Sequence, residues 1–347
     1  MKIKFETDYQ EGACPEILAR LVQTNLEQSS GYGQDVHTER AKALIRTATG
    51  QENAEVFFLV GGTQTNTTVI KSLLSPVEGV ISASSGHINV HESGAIEATG
   101  HKILTLPGHE GLLDSQELES YLENFYADPT HEHMVQPGMI YISYASEYGT
   151  IYSKHELENL KSVCKKYGLK IFLDGARLGT GLTSEKSDLN LKDLANLCDA
   201  FYIGGTKNGA LFGEAVVFPK PEEINLKNFR TLIKQQGGLL AKGRLLGLQF
   251  EVLFEGDLYF SNARHANEQA MKIKAAFKKK NIPFLFESYT NQQFPILTPE
   301  QNKFLSENFS YELWEKTSDG NSAVRFCTSW ATSDEAIEKL IRAVESL

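Results

Sequence analysis

Three short segments carry the residue types that could do chemistry. The first, Gly61-Gly62-Thr63-Gln64-Thr65-Asn66-Thr67-Thr68, follows the apolar run Val56 to Val60 and leads into a helical stretch. Glycines let backbone approach a ligand, a helix N-terminus offers unpaired N–H groups and hydroxyls add donors, so Gly61, Gly62 and Thr63 could cradle a phosphate. Read alone, the segment is more simply a strand-to-helix turn. The second, Phe172-Leu173-Asp174-Gly175-Ala176-Arg177, puts a carboxylate at the end of an apolar run. Asp174 could hold a magnesium ion, form the turn before Gly175, or face a protonated heterocyclic nitrogen, and the turn is the simplest of the three. Arg177 is close enough to serve the same ligand. The third, Tyr202-Ile203-Gly204-Gly205-Thr206-Lys207-Asn208-Gly209, precedes another apolar run. A lysine held there in a partly desolvated pocket would lose basicity and become a carbonyl nucleophile, against the plain alternative of a solvated loop lysine.

Together the segments supply a phosphate cradle, an acid for a ring nitrogen and an amine for a carbonyl. Those are the parts needed to hold pyridoxal 5′-phosphate, whose ring carries the electron sink. Their order and spelling resemble the low-specificity L-threonine aldolases, in the threonine aldolase/beta-eliminating lyase group of fold-type-I pyridoxal phosphate enzymes. Matching stretches run from Thr7-Asp8-Tyr9 through Gly31 to Asp35, Gly61 to Asn66, His87 to Gly94, Gly149 to Ser153, Asp174 to Arg177, Thr206 to Gly209 and Gly237 to Arg244, as far as Val324-Arg325. Asp-Gly-Ala-Arg, with Lys207 of Thr-Lys-Asn-Gly 33 residues after Asp174, is the most specific part.

By that resemblance Lys207 bonds the cofactor, Asp174 pairs with its ring nitrogen, and Gly61, Gly62 and Thr63 hold its phosphate. Arg177 reaches the ring's phenolic oxygen or the substrate carboxylate. His87 stacks on the ring near the substrate hydroxyl, Arg325 grips the carboxylate, and Thr7 and Tyr32 border the substrate. Lys242 or Arg244 reaches the phosphate of a neighbouring subunit, which implies a homodimer or homotetramer with shared sites. The implied reaction is retro-aldol cleavage of L-threonine or L-allo-threonine to glycine and acetaldehyde. One departure concerns the base: where some branches place a second histidine, this chain has Ser146 beside Glu147, leaving His87, Glu147 or a water to take the hydroxyl proton. The rivals are a β-eliminating lyase on the same scaffold and a non-catalytic phosphate-ligand-binding protein in which Lys207 is idle.

The elements that must position these residues alternate along the chain. Seven β-branched or aromatic runs (Val56 to Val60, Gly79 to Ala83, Lys102 to Leu106, Met139 to Ser143, Lys170 to Leu173, Ala200 to Ile203, Glu214 to Phe218) are separated in several places by helix-length segments. Met139 to Asp174 is the clearest unit. Its helix opens with Ser153 and Glu156 in capping-box spacing, keeps Leu157, Leu160, Val163, Cys164 and Tyr167 on one stripe, and stops at Gly168. Strand, helix and strand in that order predict a right-handed crossover between parallel strands. The expected fold is α/β: a large domain over residues 1–247 with a mostly parallel sheet of the fold-type-I kind, and a smaller α+β domain over 248–347. The N-terminal segment is allowed to pack with the smaller one. That smaller part is read as one helical stretch from Phe250 to Lys280, strands at Phe294 to Leu297 and Ala323 to Thr328, and a helix from Asp334.

Composition narrows the partners. The 347 residues are 41% hydrophobic and carry a net charge of −10, without a basic cluster to neutralise a run of phosphates, so nucleic acid is not expected. No apolar stretch nears the ~20 residues of a bilayer span, and Met1-Lys2-Ile3-Lys4 leads into no signal-type region, so no membrane partner and a cytoplasmic location are expected. Four dispersed cysteines read as reduced thiols. His131-Glu132-His133 and the pair His87/His91 lack the spacing of a known metal motif, and no metal is assigned.

Overall fold

All seven runs become strands of one sheet in the computed structural model, which describes residues 2–347. After a two-residue strand β1 (Ile3–Lys4) come β2 (Glu55–Leu59), β3 (Glu78–Ala83), β4 (Ile103–Leu106), β5 (Gln136–Ser143), β6 (Lys170–Asp174), β7 (Ala200–Gly204) and β8 (Glu214–Phe218). The sheet order is β2-β8-β7-β6-β5-β3-β4. Only β8 runs against its neighbours. A loop without a helix joins it to β7, so the chain turns back rather than crossing over. Ser153 and Glu156 do form the capping box of the helix Lys154–Tyr167, which ends at Gly168 in the left-handed region, and β5 and β6 are parallel neighbours.

Because side chains alternate along a strand, each strand feeds two cores. Ile140, Ile142, Ile171, Leu173, Phe201 and Ile203 pack on one face against the helices Lys154–Tyr167 and Leu191–Leu197. Tyr141, Phe172 and Tyr202 point to the other, under Val69, Ile70 and Leu73 of the helix Gly62–Leu73. With both faces covered, the strands are apolar throughout rather than alternating. Six strands share a direction, so their carboxyl ends and the start of β8 meet along one rim of the sheet, where open α/β sheets bind ligands.

The remaining strands are β9 (Gln292–Gln293), β10 (Ile296–Leu297), β11 (Phe309–Ser310), β12 (Glu312–Lys316) and β13 (Ser322–Cys327). β13 lies between β10 and β12 and also pairs with β9, while β11 pairs with β1. A third core here joins Phe277, Leu297, Val324, Phe326, Ile337 and Leu340 with Phe5 from the N-terminal segment. Three details differ from expectation. The single helical stretch is two helices, Arg244–Phe254 and Leu258–Lys279, interrupted at Glu255-Gly256-Asp257, where the glycine favours a break. Phe294 to Leu297 is shortened because Pro295 cannot donate to a ladder. β12 is largely exposed along its length, so no apolar pattern announces it. Among the described residues no helix is long and apolar enough to cross a membrane.

Candidate active site

A cavity of about 340 Å³ opens on the rim of strand ends. Gly61, Gly62 and Thr63 enter it from beyond β2, His87 from beyond β3, Glu147 from beyond β5, Asp174 from the end of β6 and Arg177 from beyond it, Thr206 and Lys207 from beyond β7, and Glu214 from the start of β8. A second cavity of about 410 Å³ adjoins it, sharing Tyr9, His87, Glu147, Arg177 and Lys207 and adding His91, Glu312, Leu313, Trp314 and Arg325. Three of the sequence segments thus converge on one space.

Asp174 is 4% exposed. Phe172 and Asp174 share a sheet face by the period of two, which is also the face of Tyr141 and Tyr202. Both phenols donate to the carboxylate, Tyr202 at 2.5 Å, joined by the Ala176 N–H at 2.9 Å and the Asn66 amide at 3.1 Å. Burial alone would raise its pKa. The nearby His87 and the phenol donors outweigh that and hold it below the usual carboxylate value, so Asp174 is an anion at neutral pH. The residue after it must be glycine: a Cβ on Gly175 would stand 1.8 Å from the Tyr202 carbonyl oxygen.

Lys207 is half-buried, with its amine 5.8 Å from the centroid of the Tyr9 ring. Burial, reinforced by the Arg177 charge, lowers its pKa. Beneath it lies Glu214, 4% exposed, bonded to the Gly205 N–H at 3.0 Å and the Thr206 hydroxyl at 2.8 Å. Burial pushes this carboxyl up to about 8.

His87 Nδ1 sits 3.0 Å from Glu92 Oε1, which also accepts from Asn66 at 2.8 Å. Burial works against the imidazolium, yet Glu92 and the charge of Asp174 raise the His87 pKa overall. Glu147 accepts from Ser143 at 3.0 Å, and its other oxygen is buried without a partner. Burial raises its pKa. Ser146 is turned away, buried and bonded to the Thr150 hydroxyl.

Arg177 reaches the cavity, but its Nε and Nη2 both donate to Asp8, at 2.7 and 3.0 Å. Asp8 is 1% exposed and also accepts from Asn291 at 2.9 Å. Burial notwithstanding, the charges of Arg177 and Lys207 keep Asp8 well below the usual carboxylate range. Arg325 lines the second cavity, whereas Thr7, Tyr32, Lys242 and Arg244 line neither. The segment holding the two cations stays outside both cavities: Gly238 lies against Gln64 of the helix Gly62–Leu73, and Gly243 against Gly33. Sequence reasoning passed over Tyr141, Tyr202, Asn66, Asp8 and Glu214 as functional residues. The tyrosines read as core because an aromatic in an apolar strand normally is, and only the carboxylate on the same face of the strand between them reveals their role.

Residues 4–299 match the beta-eliminating lyase family. The chain belongs to that family. It is 42% identical to a threonine aldolase of Leishmania major, with a TM-score of 0.95 and 99% of each chain covered. It is also 29% identical to a low-specificity L-threonine aldolase of a Pseudomonas species, over 99% of this chain and 98% of that one. An aspartate aminotransferase of Thermus thermophilus, 14% identical with a TM-score of 0.73 over 100% and 92% of the two chains, shares the fold alone. The lyase thus has the fold of the fold-type-I pyridoxal phosphate enzymes.

Proposed function

We propose that this lyase binds pyridoxal 5′-phosphate and cleaves L-threonine or L-allo-threonine to glycine and acetaldehyde. The observation that carries the reading is the meeting, in one cavity, of an anionic Asp174, the low-pKa amine of Lys207 and the N-terminus of the helix Gly62–Leu73. The residues fit the cofactor. Asp174 suits a protonated ring nitrogen, Lys207 its aldehyde, and the free N–H groups at Gly62 and Thr63 its phosphate. Asp174 is already fully served with donors, but Asn66 has Glu92 as a second acceptor, so its bond is the one that can be yielded. When bound, the cofactor supplies a ring that takes up negative charge from the substrate Cα.

The chain's own residues would do the rest. Lys207, its pKa lowered by burial, serves as the amine nucleophile. Arg325 grips the substrate carboxylate, and Arg177, held by Asp8, keeps positive charge beside the ring. Glu92 fixes His87 through Nδ1, which leaves Nε2 to accept the proton of the β-hydroxyl. As that O–H gives up its proton, the Cα–Cβ bond breaks, the β carbon leaves as the aldehyde, and a proton returned to Cα completes glycine. Glu147, with one buried oxygen unpartnered, is the second candidate for the base.

The same reading takes the protein as a cytoplasmic homodimer or homotetramer, a location consistent with four free, buried cysteines. It divides the chain into a larger unit of residues 1–247 and a smaller one of 248–347. Product analysis tests the activity. Aldehyde plus glycine from either threonine diastereomer supports it, whereas a 2-oxo acid plus ammonia indicates elimination. Protein that stays colourless with added cofactor, and takes up no pyridoxyl group on borohydride treatment, would leave only the phosphate-binding alternative.

A further inference from the structure

Arg325 is the residue whose partners leave something over. Its Nη1 donates to Gln292 Oε1 at 3.1 Å, and its Nη2 donates to the Glu6 carbonyl at 3.2 Å and to the Glu312 carboxylate. Its Nε–H is buried with no partner. Nε and Nη2 form the edge of a guanidinium that a carboxylate grips with two parallel hydrogen bonds. One point of that fork is therefore free, and the other is held by Glu312.

We propose that Glu312 is a specificity-determining residue that holds Arg325 between turnovers and exchanges places with the carboxylate of the incoming amino acid. The proposal rests on Arg325 being the carboxylate site. Glu312 and Arg325 are direct cross-strand partners on β12 and β13, so the register of the small sheet fixes the pair. Both line the cavity that also contains Lys207 and His87. The two partners are unequal: the Arg325 side chain is 11% exposed and the Glu312 side chain 47%. A nearly buried guanidinium requires an anion, because leaving it uncompensated is strongly unfavourable. Glu312 can turn into water with little desolvation, since it is already half in it. β12 is an edge strand, and its pairing slips at a bulge just beyond Leu313, so the backbone that carries Glu312 is bonded on one side only. The Trp314 ring, 5.3 Å from the guanidinium carbon, holds Arg325 in place as the anions change.

The exchange makes entry conditional on an anion of the same kind. A ligand without a carboxylate cannot displace Glu312, and one with a carboxylate must compete against it. Glu312→Gln keeps the size and removes the competitor. In holoenzyme it should lower KM for L-threonine by about three- to five-fold, the scale of a half-exposed ion pair, with the effect falling on KM rather than kcat. The inhibition constant of 3-hydroxybutyrate, which has the carboxylate and hydroxyl but no amine, should fall by the same factor. Binding of L-threonine amide should not change. Glu312→Asp, one methylene shorter, should lie between parent and Glu312→Gln and serves if the latter does not fold. Arg325→Lys separates the two layers of the argument. If it leaves KM unaltered, the carboxylate assignment of Arg325 fails. If it raises KM while Glu312→Gln leaves both constants unchanged or raises them, Arg325 keeps its role, the ion pair merely braces the sheet, and the exchange is overturned.

Discussion

Four donors around one buried carboxylate make Asp174 an anion that no rearrangement of water has to create. The Tyr141 and Tyr202 phenols support that anion rather than only the packing around it, since each donates to a different oxygen of the carboxylate. Asp174→Asn should therefore lower kcat by about 10²–10³-fold, and Tyr202→Phe by about ten-fold, because removing one donor weakens the electrostatic support without removing the charge. Steady-state kinetics at saturating cofactor check both, and near-parental turnover in Asp174→Asn would sink the assignment. Glu214 is the opposite case. Its folded pKa of about 8 lies above its ordinary value of 4.5, so the folded protein holds a proton that the unfolded chain releases between those values. The stability that this proton represents is complete below pH 4.5 and is lost as the pH climbs through 8. Glu214→Gln, a neutral carboxamide throughout, should gain on the parent in thermal midpoint from pH 5 to pH 8.5, and a pH-independent difference would mean that Glu214 is ionised when folded. Asp174 was legible in the sequence because it ends a strand and abuts Gly175, and Lys207 because it follows a strand within a glycine-rich turn. Glu214 was not, since it opens an apolar run whose burial only the sheet order explains.

At the scale of elements, the site depends on how closely the segments after β6 and β7 approach. Gly175 shows the constraint most sharply, because any Cβ there would overlap the backbone oxygen of Tyr202 on the adjacent strand. Its φ is not in the left-handed region, so the requirement is for space and not for an unusual dihedral. Gly175→Ala should destabilise the fold by about 3 kcal/mol through overpacking and displace Asp174 with it. The check is a lowered thermal midpoint together with weaker cofactor retention; parental values for both would show that the strand ends can part freely. The large sheet was readable because its strands are buried on both faces and so stand out as apolar runs between capped helices. The small sheet was only half readable. β13 is apolar and was expected, but β12 is an exposed edge strand of mixed polarity, and it carries the glutamate that meets Arg325.

For the whole molecule, the question is what neutralises a phosphate at the helix Gly62–Leu73. Among the described residues lining the cavity, the cationic candidates are Lys207, Arg177 and His87, and none belongs to the Gly61–Thr63 turn. Arg177 is committed to Asp8. A dianion at a helix N-terminus is better held with a further cation, and a two-fold contact can bring one from a second copy of the chain. Lys242 is exposed and so open to a neighbour, whereas the Arg244 Nη1 is buried in its own chain without a partner and would have to turn outward to serve one. The exposed apolar residues Leu18 and Val22, one turn apart on the helix Pro15–Gln23, with Leu26 beyond it, give such a contact a surface to bury. If the site is shared, Lys207→Ala loses the amine in its own site, and a Lys242→Ala or Arg244→Ala chain loses the cation it lends to its partner. Each homo-oligomer should then be poorly active. Refolded together, they should regain about a quarter of parental activity: random pairing makes half the dimers hybrids, and one of the two sites in each hybrid receives both undamaged contributions. Hybrid dimers proven by mass but no more active than their separate components would show that each chain completes its own site.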